Sequence, residues 1–227
     1  MALLRRILQI STDLENSIVL DFFSGSGTTA QAVLELNRED GGNRKFILVQ
    51  LPEPTENKQF PTISSIGMER IRRVIAKLKG ETGNLSRSEP EDLGMKVFRL
   101  TESHYSQWTG TADRTVPALV EQMRLIETDP LRHGWTAEGM LWELALKAGY
   151  GLNSVFKKVG NTTTTVWRVE NDLIPGQSFL VCLADQIPPD IAKQLELGPD
   201  DKLVVRDNAL DDTLAANLAL QCRLEVV

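Results

Sequence analysis

The sequence predicts an α/β protein built from two successive units, and three observations carry that expectation. Two continuous apolar runs, residues 17–23 and 45–51, flank a stretch of helical character, which makes a strand–helix–strand unit. The first run breaks into Gly25-Ser26-Gly27 and passes directly into a helix, as at the ligand-binding edge of a parallel sheet. Beyond residue 136 a second series of short strands and helices forms a smaller α/β domain. With 227 residues, 41% of them hydrophobic, the chain can bury one substantial core or two small ones.

Leu3, Leu4, Ile7, Leu8 and Ile10 fall at helical spacing, so a short helix is expected over residues 3–10. No capping sequence precedes it, which reads as a cut through a longer polypeptide. The strand at 17–23 leads through the glycine turn to a helix over 28–37. Gly41, Gly42 and Asn43 then turn the chain into the strand at 45–51. A loop holding Pro52, Pro54 and Pro61 precedes an amphipathic helix over 65–79. That helix places Ile66, Ile71, Val74, Ile75 and Leu78 on one side and Arg70, Arg72, Arg73, Lys77 and Lys79 on the others. Residues 95–100 (MKVFRL) are expected to add a third strand, giving parallel strands with right-handed crossover helices over residues 1–101. Residues 102–135 read as a connector with one helix at 116–127, closed by Pro130. In the C-terminal domain, residues 136–227, a helix over 136–148 begins at Thr136 and stops before Gly149. Strands at 166–169, 178–183, 202–206 and 224–227 alternate with helices at 190–197 and 212–221.

A formal net charge of -6 argues against broad phosphate neutralisation, although a locally basic face can still hold nucleic acid. Cys182 and Cys222 lack paired spacing or nearby histidines and read as small buried side chains. Residues 1–9 carry Arg5 and Arg6 within a short apolar run, unlike a signal peptide, and no run reaches membrane-spanning length. A cytoplasmic setting without a membrane partner is the expectation.

A strand that passes through glycines into a helix presents backbone N–H groups and a positive helix terminus to a ligand. Nucleoside triphosphates require a lysine after the last glycine, where this chain has Thr28 and Thr29. Gly25, Gly27 and Ala30 satisfy the dinucleotide spacing, but Asp21 before the loop opposes a pyrophosphate. The second strand also ends in Gln50, where a nicotinamide site normally offers a ribose-binding acid. Asp21 suits a ligand with a cationic amino group and a sulfonium.

The stretch DFFSGSGTTAQAVLELN resembles the S-adenosylmethionine (AdoMet) motif of the amino-methyltransferases of DNA. The segments EDGGNRKFILVQLPE, GMERIRRVI, GMKVFRLTESHYSQW and GMLWELALKAGY are similar to the C-terminal half of the modification (Mod) subunit of type III restriction-modification systems, adenine-N6 methyltransferases of DNA. The resemblance continues through FLVCLADQIPPDIAK to ALDDTLAANLALQ. It implies a partial Rossmann-like AdoMet-dependent methyltransferase sheet followed by a smaller α/β domain, with S-adenosyl-L-methionine as cofactor. Phe23, Gly25 and Gly27, with Ser24 and Ser26 in the same loop, would line the methionine end of the cofactor. Asp21 would hold either the loop or the ligand amino group, and Thr28 and Thr29 would cap the helix and offer hydroxyls. Gln50 stands where an acid commonly binds the ribose. Phe22 is either a further lining residue or core, because adjacent strand residues face opposite sides.

The Asp-Pro-Pro-Tyr motif that holds a flipped base in such enzymes does not precede residue 18, so no catalytic residue is assigned. Pro188-Pro189 lacks the leading polar residue and the aromatic, and reads as a helix start. His104 and His133 are isolated in sequence, and no metal ligands are assigned. The implied partners are the amino-terminal half of the methyltransferase, DNA, a restriction subunit and a second copy of the chain. The alternatives are a non-catalytic assembly module and a nicotinamide-binding oxidoreductase. With half of the sheet elsewhere, the strand at 17–23 is expected to be an edge in need of cover.

Overall fold

The computed structural model describes residues 1–81, 91–107, 113, 115–128, 130–160 and 162–227. It is a mixed α/β structure of two compact units, Met1–Arg99 and Leu100–Val227. The first contains α1 (Ala2–Ser11), β1 (Glu15–Asp21), α2 (Thr28–Asp40), β2 (Asn43–Leu48) and α3 (Ile63–Gly80). The second contains α4 (Val116–Thr128), α5 (Ala137–Lys147), β3 (Val155–Lys158), β4 (Trp167–Glu170), β5 (Ser178–Cys182), α6 (Ile191–Gln194), β6 (Lys202–Val205), α7 (Asp212–Ala219) and β7 (Arg223–Val226).

In the first unit β1 and β2 pair in parallel, with Val19 opposite Phe46 and Leu20 opposite Ile47. Strand pleating divides their side chains between two environments. Val19, Phe46 and Leu48 turn toward α2, while Ile18, Leu20 and Ile47 lie on the exposed face. Helix α2 is the centre of the unit. Its Ala30 and Leu34 pack with Ile71, Val74 and Leu78 of α3, and its Ala32, Val33 and Leu36 pack with Leu8 of α1. Arg44 fastens the far end: it is 5% exposed and bonds Asp40, Asn37 and Thr12, joining the end of α1, the end of α2 and the start of β2.

The expected strand at 95–100 does not form. Leu93 and Met95 rest against the α2–α3 core, but the backbone of residues 95–100 has no ladder partner among the described residues. An apolar sequence suits a strand only where a neighbour offers hydrogen bonds. Among the described residues the sheet of this unit therefore has two strands rather than three.

The second unit carries a five-stranded sheet in the order β3-β4-β5-β6-β7, antiparallel from β3 to β5 and parallel from β5 to β7. Both faces are covered. Phe179 and Val181 of β5 face the cluster of Met140, Leu141 and Leu144 from α5, whereas Leu180 and Cys182 face Ile191 of α6 and Leu218 of α7. Cys182 and Cys222 are free thiols buried in this latter core. Strand β3 was not expected, because VFKK is short and half polar; its partner β4 and the Lys157–Glu170 pair hold it in place. Helix α6 is only four residues long, ending where Glu196 takes a positive φ of 53°. Among the described residues no helix is long and apolar enough to cross a membrane.

Candidate functional site

The end of β1, the glycine loop and the first turn of α2 form one tightly bonded structure. Asp21 closes it from below: one carboxylate oxygen accepts from the backbone N–H of Phe23 at 3.2 Å and the other from the Thr29 hydroxyl at 2.5 Å. Gln50, just past β2, closes it from the side, its amide oxygen accepting from the backbone N–H of Gly25 at 2.7 Å. The N–H of Ser24 donates to the Val49 carbonyl, and that of Gly27 to the Ser24 carbonyl. Ser26 and Thr28 stand with their hydroxyls 3.5 Å apart.

Both glycines adopt left-handed backbone, φ 50° at Gly25 and 75° at Gly27, which other residues reach only with strain. Gly27 faces a second reason to be glycine. A Cβ there would lie 3.2 Å from the carbonyl oxygen of Gly67 on α3, while a Cβ on Gly67 would lie 3.2 Å from the carbonyl oxygen of Gly25. Loop and helix thus touch backbone to backbone. Gly67 is a residue sequence reasoning did not select; the pairing of a glycine within a helix with a glycine loop is the signal that could have found it.

Gly27 is the N-cap of α2 and supplies no side chain to the first turn, so the positive end of a 13-residue helix is left open at the loop. On Gly25 a Cβ would meet nothing closer than 4.0 Å, which leaves room for a ligand at the turn. Phe22 and Phe23 flank the turn with ring centroids 5.1 Å apart. At 63% and 82% exposure they are accessible apolar surface in this chain. The structure therefore gathers Asp21, Phe22, Phe23, Ser24, Gly25, Ser26, Gly27, Thr28, Thr29 and Gln50 around one open turn.

The Gln50 amide nitrogen lies 3.3 Å from the Leu51 carbonyl and 3.4 Å from the Glu53 carboxylate. Glu53 in turn is pinned through its carbonyl, which accepts from the N–H of Ile63 at the start of α3, and by the Pro54–Thr62 bridge. An exposed carboxylate thus stands beside the loop, three residues past the position at which an acid was sought.

A second polar cluster lies in the other unit. Glu143 of α5 accepts from the Ser103 hydroxyl at 2.6 Å and the His104 backbone N–H at 2.8 Å, and stands 3.0 Å from His104 Nδ1 and 3.2 Å from Lys147. Burial alone would raise its pKa, but these donors outweigh it and hold the carboxyl at about 2. Serine, histidine and glutamate meet here without forming a nucleophilic triad, because Ser103 donates to the carboxylate rather than to the imidazole. The cluster clamps residues 103–105 onto α5. Among the described residues no group of three His, Cys, Asp or Glu side chains is placed to hold a metal.

Residues 1–79 match the family model described as DNA methylase, of the N6/N4 class. The chain is similar to the type III restriction-modification enzyme StyLTI Mod subunit of Salmonella typhimurium, 42% identical over 105 residues, which is 44% of this chain and 15% of that protein. It is also similar to the EcoP15I Mod subunit of Escherichia coli, 39% identical over 89 residues, 37% of this chain and 12% of that protein. A third relative, the type II methyltransferase M.KpnI of Klebsiella pneumoniae, is 42% identical over 65 residues, 26% of this chain and 16% of that protein. The matched stretches span less than a fifth of the length of these relatives.

Proposed function

We propose that this chain is the AdoMet-binding part of a Mod-type methyltransferase that modifies the N6 amino group of adenine in DNA. The observation that carries the reading is the open glycine turn, rigidly braced by Asp21 and Gln50, at the uncapped end of α2. The family match covers this part of the chain and the relatives are methyltransferases or Mod subunits by name, in support. On this reading residues 1–101 are the AdoMet-binding half of a Rossmann-like methyltransferase domain, residues 102–135 a connector and residues 136–227 a C-terminal domain.

When bound, AdoMet supplies an electrophilic methyl on a sulfonium, and methyl transfer leaves the thioether while the attacking amine loses a proton. The chain's own residues bind and orient. The exposed Phe22 and Phe23 rings give the methionine portion an apolar wall, and Asp21, whose carboxylate can accept beyond its two present donors, offers an acceptor to the ligand ammonium. Gln50 holds the turn open through Gly25, and Glu53 is positioned to accept from ribose hydroxyls. Nothing in the sequence supplies the Asp-Pro-Pro-Tyr grip on the target amine. That grip, and the opposite wall of the pocket, fall to the amino-terminal half of the enzyme, with DNA, a restriction subunit and a second copy as further partners in the cytoplasm.

Calorimetry with AdoMet and with NAD tests the reading. Weak AdoMet binding is expected, since half of the enclosure is missing, and Asp21→Ala should weaken it far more than Gln50→Glu, which keeps an acceptor for Gly25. Tight NAD binding without AdoMet binding would overturn it. The isolated chain should transfer no labelled methyl group to duplex DNA, and addition of the amino-terminal half in trans should restore transfer. A second reading, a non-catalytic assembly module, draws on the bare apolar sheet face of the first unit; failure of that restoration together with stable association of the two halves would favour it.

A further inference from the structure

Helix α3 is the most basic helix of the first unit. Residues Ile63–Gly80 carry Arg70, Arg72, Arg73, Lys77 and Lys79 against a single acid, Glu69, in a chain that is acidic as a whole. A charged helix face by itself is ordinary. This one adjoins a cavity of about 300 Å³ lined by Phe60, Ile66, Glu69, Arg70, Arg73 and Val74. Its apolar wall is fixed: the Phe60 N–H donates to the Asn57 carbonyl, the Phe60 carbonyl accepts from the Thr55 hydroxyl, and the Thr62–Ser65 capping box locks the following turn to the helix. The cations stand at its rim. Arg70 reaches Gln31 at 3.3 Å, and Arg73 pairs with Glu69 through Nε alone while its side chain is 69% exposed.

An aromatic ring on an anchored loop, beside two guanidinium groups on a basic ridge, matches a ligand that joins a flat ring to a phosphate. We propose that this face binds single-stranded DNA, one base stacking on Phe60 and the adjoining phosphates lying on Arg70 and Arg73. Ile66, Arg70, Arg73 and Lys77 recur at helical spacing on one side of α3, so a strand leaving the cavity continues along cations. The single strand is favoured over the duplex because stacking on Phe60 requires an unpaired base. The proposal deepens the methyltransferase reading and rests on it for its purpose, since that chemistry displaces a base from the helix.

The test is fluorescence anisotropy of a labelled oligothymidylate with the full chain at low salt, alongside AdoMet calorimetry on the same samples. Salt-dependent binding is expected. Phe60→Leu, which keeps volume and removes the stacking face, should weaken it about tenfold, and Phe60→Tyr should retain it. Arg73→Gln should weaken binding and lower the slope of log affinity against log salt by about 0.7. Lys193→Glu, on α6 of the other unit, should change neither. Absence of binding, binding indifferent to Phe60 and Arg73, tighter binding of the matching duplex, or equal binding of thymidine monophosphate would each overturn the proposal. AdoMet binding that survives these variants separates failure here from failure of the cofactor reading.

Discussion

Gly67 shows how one missing side chain can serve two masters. In α3 an alanine would raise helix propensity by about 1 kcal/mol, yet its Cβ would press on the Gly25 carbonyl and the Ser26 backbone at 3.2–3.4 Å. The helix and the loop then disagree. Gly67→Ala should leave the unfolding free energy from urea titration within roughly 1 kcal/mol of the parent while weakening AdoMet binding about tenfold, read by calorimetry. Glu143 is the other informative residue. Its folded pKa of about 2 lies below the ordinary 4.5, so its contribution is present above pH 4.5 and fades as pH falls toward 2. At ~1.4 kcal/mol per pH unit that contribution is at most ~3.5 kcal/mol. Glu143→Gln should therefore destabilise the chain near neutrality and flatten the acid limb of its stability profile, measured by urea titration across that range. At this scale the glycine loop was legible, since Gly25 and Gly27 need positive φ. The Gln50 brace was not, because a contact 25 residues apart leaves no local pattern.

Elements were legible where their own residues close their hydrogen bonds. Helix α3 declares its start through Thr62 and Ser65, and α5 through Thr136, whose hydroxyl accepts from Gly139. Strands depend on neighbours instead. MKVFRL at 95–100 has the composition of a strand and no ladder, whereas VFKK at Val155–Lys158 has a poor composition and a firm partner. Strand β1 stands between these cases. Among the described residues it pairs with β2 only, and Ile18, Leu20 and Phe22 line its bare side together with Ile47, Val49 and Leu51 of the second strand and the residues after it. Such a row is apolar surface for a partner to cover, and the edge of β1 away from β2, with no ladder partner among the described residues, is a template for further pairing. The double substitution Ile18→Thr and Leu20→Thr should leave the unfolding free energy from urea titration within about 0.5 kcal/mol, because both side chains are already exposed. Light scattering should show less self-association, and joining with the amino-terminal half should weaken. A parent chain that is strictly monomeric, with β1 amides exchanging as fast as a loop, would contradict this.

The chain forms two compact units, Met1–Arg99 and Leu100–Val227, and residues 102–135, which the sequence suggests as a connector, fall within the second. In Leu100–Val227 every strand lies beside the strand before it in sequence, from β3 to β7. That order has a kinetic consequence. Strands β3, β4 and β5 can dock after closing short loops, whereas β6 and β7 pair in parallel and each waits on a crossover helix. All four tryptophans, at 108, 135, 142 and 167, follow residue 99, so indole emission watches this unit and is blind to the one that carries the glycine loop. After dilution from urea, emission should recover in a single exponential phase that Asp21→Ala and Gly67→Ala leave untouched. A recovery slowed by either substitution would mean that the two units do not fold as separate bodies.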